Sequence, residues 1–310
     1  MNMPADSVSA ARDSGFPLVS IIVPTLASRD RRIQLTRAIG SVLNDNDSRV
    51  KVIVCVNGSV WDAACIEEIA SINGVELHRL AEPSLPKAIA FGRSVVRSAY
   101  FGFLDDDDEL LPGANECRLK VFLAQPECDV VISNGIRRTE LGDETMLSLL
   151  ALVSCDPLSI LFKENWLPSC GGLFRSATIG QSYFDNYHQY AEWTWLAYRL
   201  AIDRKKIEAL DSPTYVVNDT PGSLSKSAAY GESYISLYRR MLDCRPTPSI
   251  RKVILRRMAT VLHDLSVASL KRGDTLDATR QHLQSILLPG GLRFASYSRH
   301  IVKQVLLNRN

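Results

Sequence analysis

The stretch YFGFLDDDDELLP, residues 100–112, runs four aspartates directly out of an apolar segment. At an effective dielectric of about 20, two unit charges about 4 Å apart repel by roughly 4 kcal/mol, so such a run is costly unless cations meet it. Taken alone, a charge run reads as a solvated loop. Its position argues for more. YFGFL has the pattern of a buried strand, and carboxylates at a strand's rigid end suit a divalent cation that completes its shell with substrate phosphate and water.

The segments around it alternate between strand and helix patterns. PLVSIIVPTL is a β-branched run closed by Pro24, and SRDRRIQLTRAIGSVLND places Ile33, Leu35 or Ala38, Ile39 and Val42 at helical spacing. RVKVIVCVNGS predicts a second strand ending in the turn pair Asn57-Gly58, DAACIEEIASI a helix, VELHRL a strand, and LPKAIAFGRSVVRSA the helix leading into YFGFL. Strands and helices in this order imply βαβ crossovers and a mostly parallel sheet, with ligands at the carboxyl ends of its strands. Asn57 and the aspartates therefore face one crevice. Further on, CDVVISNGIRR reads as a strand, and HQYAEWTWLAYRLAID as a helix with Trp193, Leu196, Ala197, Leu200 and Ala201 on its apolar face. Beyond about residue 226 only helices are expected.

The 310 residues, 46% hydrophobic and 23% charged, suffice for a sizeable core. Residues 1–16 read as a disordered lead without a signal-peptide core, and no apolar run reaches the roughly 20 residues of a spanning helix. Seven scattered cysteines without a CxxC pair argue against a disulfide framework or a zinc site and for a cytoplasmic location. Charge is uneven: residues 237–310 hold fourteen Lys and Arg against four Asp, a net of +10, and the rest of the chain carries −8.

The series VSIIVPTL, VIVCVNGS, KAIAFGRSVVRSAYFGFLDDDDELLPGA, CGGLFRS and YAEWTWLAYRLA resembles the inverting glycosyltransferases of family 2, which have the GT-A fold and use nucleotide-diphosphate sugars. The resemblance spans roughly residues 17–225. It implies a GT-A domain there, α/β with flanking helices, followed by a basic helical C-terminal extension over 226–310. It further implies Asp105 and Asp106 near the donor ribose, Asp107 as ligand of Mg²⁺ or Mn²⁺, and Asp108 outside the site. Pro24 and Thr25 would meet the nucleobase. Where the family carries an acid on the second strand this chain has Val56-Asn57, leaving Asn57 to offer an amide. The family's A-x-N-x-G lacks its asparagine here, and Lys87 is a candidate phosphate contact. A downstream histidine of the family is replaced by Asn218 or Asp219; Asp219 would be a second metal ligand.

Inverting transfer also needs a base for the acceptor hydroxyl. Aligned on Arg199-Leu200-Ala201, the family's Glu-Asp pair falls at Glu192-Trp193, so tryptophan stands where the aspartate would be. Trp193 belongs to the apolar face. Glu192 becomes the candidate base, and its place at the helix start would favour its charge and lower its pKa. Asp185 and His188 are reserves, and Gly171-Gly172 matches a flexible segment near the acceptor.

These readings make a metal-assisted glycosyltransferase using a UDP- or dTDP-sugar and a glycan or lipid-linked glycan acceptor, as in bacterial surface polysaccharide synthesis. The basic tail either packs on the acidic body or lies on the inner, anionic face of the cell membrane. No nucleic-acid motif is present. Two alternatives stay open: a degenerate member that binds a nucleotide sugar or glycan without turnover, and a nucleotidyltransferase, although VPTLASRDRR has none of the glycines its phosphate loop needs.

Overall fold

The computed structural model describes residues 18–44, 49–185, 188–219 and 228–307. The expected disorder over 1–16 lies outside them. The chain forms two compact units, Met1–Pro221 and Gly222–Asn310.

The first unit is a mixed sheet ordered β3-β2-β1-β4-β8-β6-β9-β5, with β7 (Gly142–Thr145) hairpinned onto β6. β1 (Val19–Thr25) lies between β2 (Val50–Asn57) and β4 (Tyr100–Phe103), parallel to both, and β3 (Val75–Leu80) extends the parallel part. Helices α1 (Arg32–Leu43), α2 (Ala63–Ser71) and α3 (Leu85–Val95) make the crossovers. On α1 the buried residues are Leu35, Ala38, Ile39 and Val42, whereas Ile33 is 81% exposed, because at about 100° per residue it falls on the side of the helix opposite those four. Gly92 on α3 lets helix and sheet touch: a Cβ there would lie 2.4 Å from Ile22 Cγ2.

Beyond β4 the sheet ceases to be parallel. β8 (Gly172–Arg175) pairs antiparallel with both β4 and β6 (Val130–Thr139), and β9 (Ile207–Asn218) runs parallel to β6 and antiparallel to the short β5 (Glu109–Leu110). The parallel pattern expected from the sequence thus belongs to the first half. β9 is not foreseen there, because Asp211, Ser212 and Pro213 interrupt its alternation; the ladder accommodates them with register shifts at Ser133 and Asn134. Two more helices, α4 (Ala114–Ala124) and α5 (Pro157–Leu161), precede α6 (Glu192–Ile202). Gly171-Gly172 is packed and not a loose segment: a Cβ on Gly172 would meet Phe174 at 2.8 Å, and the Gly171 carbonyl accepts from Ser133 N.

The second unit is helical: α7 (Ala228–Asp243), α8 (Pro248–Lys271), α9 (Thr275–Leu287), a 3₁₀ turn Gly291–Tyr297 and α10 (Ser298–Leu307). Among the described residues no helix is long and apolar enough to cross a membrane.

Candidate active site

β4 pairs with β1 only as far as Ile22↔Phe103, so the last three residues of β1 continue alongside the acidic turn. Thr25 Oγ1 donates to Asp106 Oδ2 at 2.6 Å. The backbone then turns sharply. Ala27 takes a left-handed conformation (φ 47°), with its N–H on Thr25 Oγ1, and the chain re-enters as the 3₁₀ turn carrying Arg31. One nitrogen of that side chain, Nη1, donates to Asp106 Oδ1 at 3.2 Å and to Asp107 Oδ2 at 2.8 Å. Asn57 closes the floor: its Nδ2 donates to the Thr25 carbonyl at 3.0 Å, tying the ends of β1 and β2 together.

The four aspartates diverge. Asp108 N donates to Asp105 O at 3.2 Å, which closes a tight turn between β4 and β5. Asp105 accepts from Ser169 Oγ at 2.7 Å. Asp106 and Asp107 face Arg31. Asp108 points the other way and is 3% exposed, accepting from Asn218 N at 3.0 Å; it is a buried anchor and not a solvated end of the run. Asn218 also donates through Nδ2 to the Asp107 carbonyl at 2.7 Å, and Arg37 Nη2 to the same oxygen at 3.0 Å. Behind the turn, fully buried Arg118 binds Ser133, Thr214 and the Cys170 carbonyl, so that α4 is tied to β6, β9 and the segment leading into β8; burial lowers its pKa to about 10.

Like charges at such spacing cannot all persist without compensation. Burial pushes Asp105 up to about 7, helped by Asp107, Asp106 and Glu192 and opposed by the Ser169 hydrogen bond. Burial, then Asp105, pushes Asp108 up to about 8. Asp106 is raised by burial while Thr25 and Arg31 pull it down. The run is therefore stabilised by one guanidinium and by protons held near neutrality. For Asp108 the folded-state pKa lies above the unfolded value of about 3.9, so its stabilising effect is complete below about pH 4 and lost as pH rises toward 8. Asp108→Asn keeps an acceptor for Asn218 N and carries no charge. Its Tm is expected to fall less between pH 5 and 9 than that of the unsubstituted protein, by several degrees on circular dichroism melts; parallel curves would refute the assignment.

Glu192 is the first residue of α6 and is 7% exposed, with Oε1 accepting the Tyr190 N–H at 2.9 Å. Its pKa is raised, not lowered as its helix position suggests: burial outweighs the stabilising backbone hydrogen bonds from its own N–H and that of Tyr190. Tyr190 itself has φ 69°, a second non-glycine residue in the left-handed region at the site. The Glu192 charge is among those that raise Asp105, which brings the helix start near the acidic turn. Trp193 is half-buried and not a core residue; its ring stands edge-to-face with Phe103 at 5.1 Å, while Trp195 occupies the core.

The remaining sequence candidates are spread out. Pro24 is buried in β1 opposite Cys55. Lys87 is exposed in the first turn of α3 and ion-paired with Glu82. Asp219 follows β9 and lies 3.6 Å from Arg137, so it is Asn218 that reaches the acidic turn. Asp185 is exposed and accepts from Gln181, and His188 precedes α6. Sequence reasoning missed Arg31, Ser169 and Arg118. The SRDRR cluster just past Thr25 carries a signal for the first; Ser169 lies 64 residues from Asp105 and the Arg118 side chain is bonded to residues 15 or more positions away, with no periodicity to mark either.

The site thus gathers two carboxylates around one guanidinium at the carboxyl end of a parallel strand, and comparisons with known proteins identify the frame that carries it. Among curated proteins none matches the chain. In fold it is similar to S. aureus TarS 1–349 in complex with UDP-GlcNAc, with a TM-score of 0.60 and 14% identity over 91% of this chain and 92% of that one. TarS 1–349 alone gives 0.58, and the longer TarS structure 0.57 over 47% of its length. The architecture is thus that of a GT-A glycosyltransferase with helices appended. The family model described as Glycosyl transferase family 2 matches residues 20–189, more than half of the chain, with β2, β3, β4, nearly all of β1, the acidic turn and Ser169, and the protein therefore belongs to that family.

Proposed function

We propose that the protein transfers a sugar, with inversion, from a UDP- or dTDP-sugar to a hydroxyl of a glycan or lipid-linked glycan. The observation that carries this is Arg31 Nη1 seated between Asp106 and Asp107: the protein's own cation marks where positive charge is wanted at the strand end. The two carboxylates fit a hard divalent cation, Mg²⁺ or Mn²⁺, for which Asp107 would be the principal ligand. Among the described residues no group of three or more acidic, histidine or cysteine side chains is arranged around a metal position, so diphosphate and water would complete the shell. When bound, the ion supplies charge neutralisation at the leaving diphosphate.

The chain's own residues do the rest. Thr25 and Asp106 offer hydroxyl and carboxylate to the nucleoside. Asn57, its amide nitrogen committed to Thr25 O, presents its carbonyl oxygen, which suits the N3–H of uracil or thymine. Arg31, now on Asp106 and Asp107, could instead pair its guanidinium with the diphosphate oxygens of a bound donor. Glu192 takes the acceptor proton as that oxygen attacks the anomeric carbon from the face opposite the diphosphate. The carbon–oxygen bond to the nucleotide breaks as the new one forms, its electron pair leaving on the diphosphate. TarS bound to UDP-GlcNAc supports the choice of a uridine donor. A lipid-linked acceptor would place the enzyme at the inner face of the membrane, with its basic helices toward anionic lipid.

Thermal-shift measurements with UDP, dTDP, GDP and ADP, each with and without Mn²⁺, test the donor half. UDP or dTDP is expected to raise Tm only when Mn²⁺ is present, by about 2.7 kcal/mol of stabilisation at a hundredfold excess over Kd. A preference for a purine nucleotide, or the absence of any shift, would overturn it.

A further inference from the structure

Helix α9 is built inside out. Its buried positions are Ala278, His282 and Ser285, small or polar residues. They meet α8 through hydroxyls: Ser266 Oγ donates to Ala278 O and Ser285 Oγ to Ala259 O, each at 2.7 Å. The large apolar residues lie on the opposite side. Leu276, Leu283 and Leu287, at i, i+7 and i+11, share one narrow face and are 81, 51 and 83% exposed. Leu292, in the turn that follows, is 77% exposed. A helix that pointed its leucines at its own core would show the reverse pattern. Such a contiguous apolar face rimmed by charge marks an interaction surface.

We propose that this face lies on an anionic lipid surface. Charge decides the occupant. Arg280 stands on the leucine face one turn after Leu276, and Lys271, Arg272 and Arg293 are exposed in the adjoining segments. Residues 222–310 carry fifteen Lys and Arg against five Asp and Glu. A second copy would bring an equally basic surface against it, whereas an anionic bilayer accepts the leucines at its acyl boundary and the arginines at its phosphates. Because no described helix can span a bilayer, attachment is at the surface and reversible. The inference names the residues that would carry the lipid contact set out under the proposed function, and it rests on their exposure and charge and not on the transfer chemistry.

The test is co-sedimentation of the full chain with phosphatidylcholine vesicles and with phosphatidylcholine–phosphatidylglycerol vesicles. Binding is expected to favour the anionic vesicles by about tenfold or more and to weaken with salt. The double variant Leu283→Gln/Leu287→Gln, altered only at exposed positions, is expected to keep its Tm and its turnover of soluble acceptor while losing about tenfold in vesicle binding. Equal binding to both vesicles, or binding unchanged in the double variant, would overturn the proposal. So would dimerisation, seen by light scattering, that the double variant abolishes in place of vesicle binding. Asp107→Ala is expected to bind vesicles like the unsubstituted protein, so failure of the lipid surface and failure of the catalytic reading are told apart.

Discussion

Asp107→Ala is expected to lower kcat/KM for sugar transfer by at least about 100-fold, the scale on which a group that stabilises developing charge in a dry site acts. The fold should survive. The Asp107 contacts that hold the turn run through its backbone carbonyl, to Asn218 Nδ2 and Arg37 Nη2, and alanine keeps both. Its side chain is bonded to Arg31, which retains Asp106 as a partner. What disappears is one of two carboxylates converging on a single cation position. The variant should therefore keep its Tm in the absence of ligand and lose the Mn²⁺-dependent part of the nucleotide shift. Arg31→Ala makes the companion test by removing the internal competitor for that position: Mn²⁺ should bind the nucleotide-free variant more tightly, although the diphosphate loses a partner. If Asp107→Ala transfers sugar at an ordinary rate, the metal is held elsewhere or not used, and the acidic turn is a structural device only.

The legible and illegible parts of this molecule divide on physical lines. The parallel half of the sheet was readable because each strand there is a continuous apolar run closed by a turn residue, and each helix has its own repeating face; these are local signals. The end of β4 was readable for the same reason, since YFGFL stops where the aspartates start. What could not be read were roles set by contacts across the chain. Nothing in four identical residues says that Asp108 turns inward to Asn218, 110 positions away, while Asp107 turns toward Arg31. The pKa of Glu192 was misjudged because helix position is local and burial is not. β9 was missed since its bulge breaks the alternation from which strands are read. Trp193 satisfies the apolar spacing yet sits half-buried with its ring against Phe103, because Trp195, two positions on, takes the place in the core.

Glu192→Gln should separate an enzyme from a binding protein built on the same frame. Glutamine retains Oε1 as acceptor for the Tyr190 N–H, so the start of α6 is held, and it removes a carboxylate whose charge is opposed by burial; Tm should be unchanged or slightly raised. Nucleotide binding, which rests on β1, β2 and the acidic turn, should also be unchanged. Turnover should fall by about 10²- to 10⁴-fold, the usual contribution of a positioned base. A base acts as its anion, so in the unsubstituted enzyme the rate should rise with pH through a pKa above the ordinary glutamate range, and that rising limb should be missing from the residual activity of the glutamine variant. Asp105, which shares the region, also titrates near neutrality and adds its own contribution to the profile. The comparison is therefore made between variants at each pH and not from one curve. A purely structural Glu192 would alter Tm and leave the shape of the profile alone. If the variant keeps more than about a tenth of the rate with its limb intact, the proton goes elsewhere, and Asp185 and His188 on the approach to α6 are the groups to substitute next. If the unsubstituted protein binds UDP with Mn²⁺ but releases none from any UDP-sugar, the tryptophan at the family's aspartate position has left a donor site without a base, and Trp193→Asp becomes the variant that should restore turnover.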